Sequence, residues 1–413
     1  MEALRLLRSL NRDQRNTFIA CFLGWALDAF DFFLLTFVLV PVGRDFGKTV
    51  PQVAFAITLT LMMRPIGAFI FGMLGDRFGR RIPLMIDIIF YSVIELLSAF
   101  APNFTVFLIL RALFGIGMGG EWGLGASLAM ESLPKEARGL FSGILQQGYA
   151  FGYLLAALTF WLVFPTFGWR GLFIAGAVPA LLVIFIRARV PESPAWERQR
   201  KDITADRFRL GPFIRQHGLL FLYSALMMTA FNYMSHGTQD LYPTFLKQQL
   251  HFDTKTTGLL TVALNLGAIV GGLFFGAWSE KVGRRRAIIT AALLAIPMVP
   301  LWTYGGSVVL LGVGVFLLQI AVQGAWGVVP VHLNELSPDA VRGTLPGFAY
   351  QGGNLLASVT APLLTHFAVL RNNDYAFVMS IFIACVAVFL AIVTALGPEA
   401  RGAPFGARAA SGS

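Results

Sequence analysis

Apolar residues fill long, nearly uninterrupted stretches of this chain, and polar positions gather in short segments between them. The hydrocarbon layer of a bilayer takes about 20 apolar residues per helical crossing. Twelve stretches of that kind are found, at 16–42, 52–73, 83–101, 104–131, 140–164, 170–189, 216–248, 257–278, 286–304, 306–333, 344–369 and 375–396. The pattern predicts an all-α membrane protein with 12 transmembrane helices. Composition agrees, because 413 residues at 56% hydrophobic and 13% charged exceed what a water-soluble core needs.

Charge orients the expected bundle. With both termini placed inside, cytoplasmic segments collect 24 of the 32 Lys and Arg residues, whereas outer loops hold six: Arg44, Lys48, Arg170, Lys247, Lys255 and Arg371. That bias satisfies the positive-inside rule and predicts a multi-pass protein of the plasma (cytoplasmic) membrane. It also accounts for the net charge of +10 without nucleic acid, since the basic residues border spans and form no stripe with interleaved aromatics. Residues 1–15 carry four arginines but no short apolar run with a small-residue cleavage site, so no removable signal peptide is read. Cys21 and Cys385 fall inside spans near opposite ends of the chain and are read as buried apolar positions rather than a disulfide.

Sliding the sequence against itself by 204 residues exposes an internal repeat. Gly72, Asp76, Arg77, Gly79, Arg80 and Arg81 land on Gly276, Glu280, Lys281, Gly283, Arg284 and Arg285. The same shift carries Gly120, Trp122 and Gly123 onto Gly324, Trp326 and Gly327, Glu131, Pro134, Arg138 and Gly139 onto Glu335, Pro338, Arg342 and Gly343, and Gln147 onto Gln351. One offset across three helix pairs predicts two six-helix halves, 1–189 and 215–413, joined by a charged cytoplasmic linker at 190–214.

The run Gly72-Met-Leu-Gly75-Asp76-Arg77-Phe-Gly79-Arg80-Arg81 resembles the signature loop of the major facilitator superfamily, and Pro191-Glu-Ser-Pro194 is similar to a further motif of that superfamily. The resemblance implies two pseudo-symmetric six-helix bundles and secondary transport. Physically, glycines let helices approach closely, and an acid followed by Arg at a helix end can pair with neighbouring ends in one state and release them in another. Asp76, Arg77, Arg80, Glu131 and Arg138, with Glu280, Arg284, Glu335 and Arg342, are therefore the expected gating residues. The competing reading is a positive-inside anchor in a tight turn.

Substrate chemistry is expected where the halves differ, because an unmatched charge at mid-membrane costs several kcal/mol and requires a reason. Arg64 is opposite Ala268, Arg111 opposite Val315, Glu95 opposite Val299 and Glu121 opposite Ala325, so all four charges belong to the first half. In the paired first and seventh spans, Asp28 falls on Asn232 and Asp31 on Ser235. The seventh span places Asn232, Ser235, His236, Gln239 and Asp240 at i, i+3, i+4, i+7 and i+8, on one face that cannot meet lipid. It faces a cavity or joins a partner helix.

Asn-x-x-Ser-His-x-x-Gln-Asp-x-x-x-Thr at 232–244 resembles the signature of the lactate/pyruvate:proton symporters of the sialate:proton symporter family, and Gly24-Trp25-x-x-Asp28-Ala-Phe-Asp31 looks like that family's first helix. The resemblance implies symport of a small carboxylate with a proton and a role for Asn232, His236 and Asp240. The short central linker sets the chain apart from the sialic acid branch, which carries extra spans there.

Residue chemistry points the same way. A carboxylate crossing lipid needs a cation, and the planar fork of Arg binds it through two hydrogen bonds while staying charged. Arg64 is the expected anchor and Arg111 the second candidate, with a structural role open for both. Proton coupling needs a carboxyl whose affinity for the proton changes with the cavity, for which Asp28, Asp31, Glu121 and Asp240 are candidates. Gln146, Gln147, Gln239, Gln319, Gln323, Gln351 and Asn354 are expected to line the site, with Phe32, Tyr149, Tyr153 and Tyr350 narrowing it to small substrates. Aromatic acids, dicarboxylates or sialic acid are the alternative substrates, and sugars a more distant one. No metal-ligand cluster, nucleophile elbow or phosphate loop is seen, so neither a cofactor nor enzymatic chemistry is expected, and the transporter is expected to work as a monomer.

Overall fold

The computed structural model describes residues 10–199 and 210–405. Ten helical stretches among them are long and apolar enough to cross a membrane. One of these, Lys135–Arg189, spans 55 residues and contains two crossings, because Gly168 leaves the helical region with φ 62° and ψ −163°. A further helix of 30 residues, Leu210–Gln239, supplies the remaining crossing of the expected twelve.

In the first half the helices are α1 Arg12–Phe37, α2 Leu39–Phe46, α3 Val50–Phe78, α4 Arg81–Ala99, α5 Phe104–Ser132, α6 Arg138–Gln146, α7 Gly148–Ala175, α8 Ala180–Arg189 and α9 Pro194–Gln199. The second half contains α10 Leu210–Gln239, α11 Tyr242–Gln248, α12 Thr254–Val282, α13 Arg284–Tyr304, α14 Val308–Leu336, α15 Leu345–Ala357, α16 Thr360–Leu370 and α17 Tyr375–Leu396. Some expected spans are interrupted: the first breaks at Val38, the fifth at Gln147, the seventh after Gln239 and the eleventh at Ser358, each continuing as a separate helix. Of the expected linker at 190–214, residues 200–209 lie outside the described residues, while 194–199 form α9.

Both halves pack by the same scheme: α1 lies on α7, α3 on α5 and α4 on α5, as α10 lies on α15, α12 on α14 and α13 on α14. Glycine makes the tightest of these contacts. A Cβ on Gly67 would stand 1.7 Å from the Ile116 carbonyl oxygen, and its repeat partner Gly271 would meet the Ile320 carbonyl at 2.2 Å. Backbones this close gain dispersion energy that lipid, being equally apolar, does not compete away. The outer surfaces expose large apolar side chains, including Trp161, Leu219, Val309 and Leu396, a distribution stable only against hydrocarbon.

Candidate functional site

The signature turns at 76–81 and 280–285 lie on one face of the molecule, termed here the motif face. Each turn leaves its helix at a glycine in the left-handed region, Gly79 at φ 95° and Gly283 at φ 97°. Beyond it, Arg80 donates to Asp76 at 2.9 Å and to Glu131 at 3.0 Å. Arg284 repeats the arrangement with Glu280 at 2.7 Å and Glu335 at 2.8 Å. Arg77 is exposed and lies over the Phe78 ring.

These two clusters also reach across the halves. The Asp76 carboxylate accepts from the Gly343 amide at 2.6 Å, the Thr344 amide at 3.0 Å and the Thr344 hydroxyl at 2.6 Å. Glu280 accepts from the Gly139 amide at 2.5 Å. Arg342 approaches Glu131 at 3.6 Å, and Arg138 approaches Glu335 at 3.9 Å. Ser127 donates to the Arg342 carbonyl, and Ser142 accepts from the Val331 amide. Gly123 packs on Gly347, and Gly143 on Gly272, so that the motif face is shut by direct backbone contact.

Two acids of this assembly escape a constant-offset reading of the sequence. Glu192 accepts from the Arg80 and Arg81 amides at 2.8 and 3.2 Å, and Glu399 accepts from the Arg284 and Arg285 amides at 3.2 and 3.0 Å. Pro191-Glu192 recurs as Pro398-Glu399, but at an offset of 207, three residues off the main register. Burial raises the Glu192 carboxyl above its ordinary range, against these amides and Arg80, which pull it down. The chain beyond α17 then crosses the motif face, where Phe405 is buried between Arg138 at 3.7 Å and Arg342 at 4.1 Å. The Ala403 carbonyl accepts from Arg138, and the Gly402 amide donates to Glu335.

Above this seal the halves diverge around a cleft. Its floor is aromatic: Tyr350 of α15 lies 4.6 Å from Trp122, 5.6 Å from Trp326 and 6.3 Å from Trp25, and Trp25 stacks on Tyr149 at 5.6 Å. On the first-half wall, Arg64 is 3% exposed, donates to Asp28 at 3.0 Å and lies over the Phe32 ring at 5.7 Å. Its Nε and the second Asp28 oxygen have no hydrogen-bond partner among the described residues. Tyr149 and Tyr350 both lie in the field of Arg64 and Asp28, so the buried ion pair sits close to this aromatic floor.

On the second-half wall the polar stripe of α10 divides in two. His236 contacts Asp240 and Asn354, each at 3.0 Å, and these His and Asp side chains stay 33% and 41% exposed to the cleft. Gln239 instead donates to Gln319, and Ser235 accepts from Gln323, both on α14, so this edge joins helices. Asn232 is buried and donates back to the Met228 carbonyl. Gln351 is buried one helical turn from Asn354 with no partner for its amide among the described residues, whereas Gln147 turns toward Gly272 at the contact between halves.

Arg111 is brought to a different place. It donates to Glu95 and Ser98, both at 2.6 Å, with Phe114 and Phe173 rings at 4.4 and 5.0 Å. This is a buried cluster inside the first half, not a wall of the cleft. Asp31 lies beside it, fully buried and without hydrogen-bond partners among the described residues, as is Glu121 on α5. Asp87 on α4 joins the same interior and was not among the expected acids. The signal was present, since Asp87 falls on Ala291 in the repeat, but its position close to the span's end concealed it.

The model of the family described as "Sugar (and other) transporter" matches residues 17–210 and 213–401. The chain is 30% identical to the sialic acid transporter NanX of Escherichia coli, over 96% of each chain. It is 28% identical to a carboxylic acid transporter protein homolog of Saccharomyces cerevisiae, over 95% of this chain and 69% of that one. A probable 4-methylmuconolactone transporter of Cupriavidus pinatubonensis is 30% identical over 94% of this chain and 91% of the relative. Among solved structures, the proton:xylose symporter XylE superposes with a TM-score of 0.79 at 20% identity, covering 95% of this chain and 98% of that one. The human organic anion transporter MFSD10 gives 0.74 at 17% identity, over 92% and 100%. The repeat, the paired signature turns and the family match across both halves agree that this chain is a multi-pass membrane transporter of the sugar (and other) transporter family, with the major facilitator fold.

Proposed function

We propose that the protein carries a small organic carboxylate together with a proton, by alternating access of a single cleft, and that it works as a monomer. The observation that carries this reading is Arg64. It is a buried cation on the cleft floor, tied to Asp28 through one nitrogen and retaining donors for a second anion. A monocarboxylate such as lactate or pyruvate fits a single fork of this kind. His236, Asp240, Asn354 and Gln351 lie across the cleft for its other oxygens. Asp28 is the coupling acid: a substrate carboxylate that draws Arg64 away leaves Asp28 buried without its cation, and a proton replaces it. Asp31 and Glu121 are secondary carriers in the same interior.

The relatives named for carboxylic acids support the substrate class. The aromatic floor and a relative named as a cis,cis-muconate transport protein favour flat unsaturated acids as a second reading. By the positive-inside rule the motif face is cytoplasmic, which puts both termini inside and gives the structure an outward-facing state.

Uptake of labelled L-lactate into proteoliposomes, with and without an inward proton gradient and with pyruvate, benzoate, muconate, succinate and glucose as competitors, tests the proposal. Gradient-driven accumulation blocked by pyruvate supports the monocarboxylate reading. Competition by benzoate or muconate alone moves the assignment to unsaturated acids, and competition by glucose alone refutes the carboxylate. Arg64→Ala is expected to abolish uptake in a folded protein; retained high-affinity uptake would overturn its role as anchor.

A further inference from the structure

The interior of the first half holds further buried groups around Glu121. Both carboxylate oxygens of Asp87 and of Glu121 are buried without a hydrogen-bond partner among the described residues, as are the Tyr91 hydroxyl and the Ser92 hydroxyl. Tyr91 is one turn from Asp87 on α4, and its hydroxyl lies in the field of Asp87, Glu121, Asp28 and Asp31. The charges acting on Asp87 itself are Glu121 from α5 and Asp28 from α1.

Cations on the surrounding helices are engaged or remote. Arg64 on α3 is held by Asp28, Arg111 on α5 by Glu95, and Arg170 on α7 by Asp45. Arg187 and Arg189 are exposed at the end of α8. Buried carboxylates cannot remain ionised without a partner, because the desolvation cost amounts to several kcal/mol per charge. Arg64 pairs with Asp28 and lies in reach of Glu121, whereas the charges acting on Asp87 are both acidic, so protons neutralise the acids left without a cation.

Helix register sets the order of these acids in depth. Measured from the motif-face ends of their helices, Asp87 lies at about 9 Å of helix rise, Glu121 at about 16 Å and Asp28 at about 24 Å. The acids therefore descend from the cleft floor toward the motif face through the body of one bundle, separate from the seal between the halves.

We propose that Asp87 is a proton-carrying carboxyl for transport, the last of a descending series from Asp28 through Glu121, from which the proton leaves when the motif face opens. In this step Asp28 releases its proton as Arg64 returns to it, Glu121 and Tyr91 relay one, and the Asp87 O–H bond breaks to water on the motif side, with no other change in charge. The proposal rests on the proton-coupled reading above.

The test compares wild type, Asp87→Asn and Asp87→Glu in proteoliposomes, using labelled L-lactate or the acid that competes best. Asp87→Asn is expected to lose gradient-driven accumulation on the order of a hundredfold, the scale of a missing proton carrier. Substrate counterflow, which needs no net proton movement, is expected to persist, and Asp87→Glu to restore accumulation. Infrared difference spectra on substrate addition are expected to show a protonated carboxyl band in wild type that Asp87→Asn lacks. Full accumulation by Asp87→Asn would overturn the role of Asp87 alone. Loss of counterflow and accumulation together, with no rescue by Glu, would assign Asp87 to structure. Absence of a gradient response in wild type would instead overturn the coupling reading on which this one depends.

Discussion

Removing the Asp76 carboxylate should open the motif face. In the closed state it accepts three hydrogen bonds from the opposite half, all at 2.6–3.0 Å, and it is buried. A hydrogen bond to a charged group is worth about 1.5–3 kcal/mol net, and water replaces part of that once the face opens, so about 3 kcal/mol is a conservative total. At roughly 1.4 kcal/mol per decade, Asp76→Ala should move the closed-to-open ratio by about a hundredfold. Its repeat partner Glu280 holds one such bond across the halves, from Gly139, so Glu280→Ala should move the ratio by roughly tenfold. Spin labels at Glu136 and Ala340, exposed repeat partners on the motif face, report the opening as a longer distance in a background lacking Cys21 and Cys385. Identical distance distributions for wild type and Asp76→Ala would refute the reasoning. Equal shifts for Asp76→Ala and Glu280→Ala would refute its proportionality to the bonds crossing the interface.

Other consequences follow from single contacts. Phe405→Ala removes the ring between Arg138 and Arg342, and with each cation–π contact worth about 0.5–2 kcal/mol the same spin-label pair should record a partial opening. Arg111→Met leaves Glu95 buried and uncompensated, a loss of about 3–5 kcal/mol seen as a lowered Tm in detergent, which Glu95→Gln added to Arg111→Met should partly restore. Gly67→Val drives a side chain into the Ile116 carbonyl and should prevent α3 from seating on α5, seen as loss of the monodisperse peak in size-exclusion chromatography.

Much of this protein is legible from its sequence. Span number, repeat and the paired signature turns could be read because each rests on local composition or on a fixed offset: lipid requires long apolar helices, and a duplicated half repeats its turns at 204 residues. The asymmetric charges Arg64, Glu95, Arg111 and Glu121 stood out for the same reason. Pairing between them was not determined there, since it depends on which helix faces approach one another. Only the packed bundle places Arg64 against Asp28 on the cleft floor and sends Arg111 to Glu95 inside the first half. Folding likewise divides the α10 stripe, turning His236 to the cleft and Gln239 to α14. Glu399 escaped notice through a three-residue slip in register, and Asp87 through its nearness to a span's end. Phe405 belongs to a tail with no pattern of its own, and it acquires a place only where two distant arginines converge to hold it.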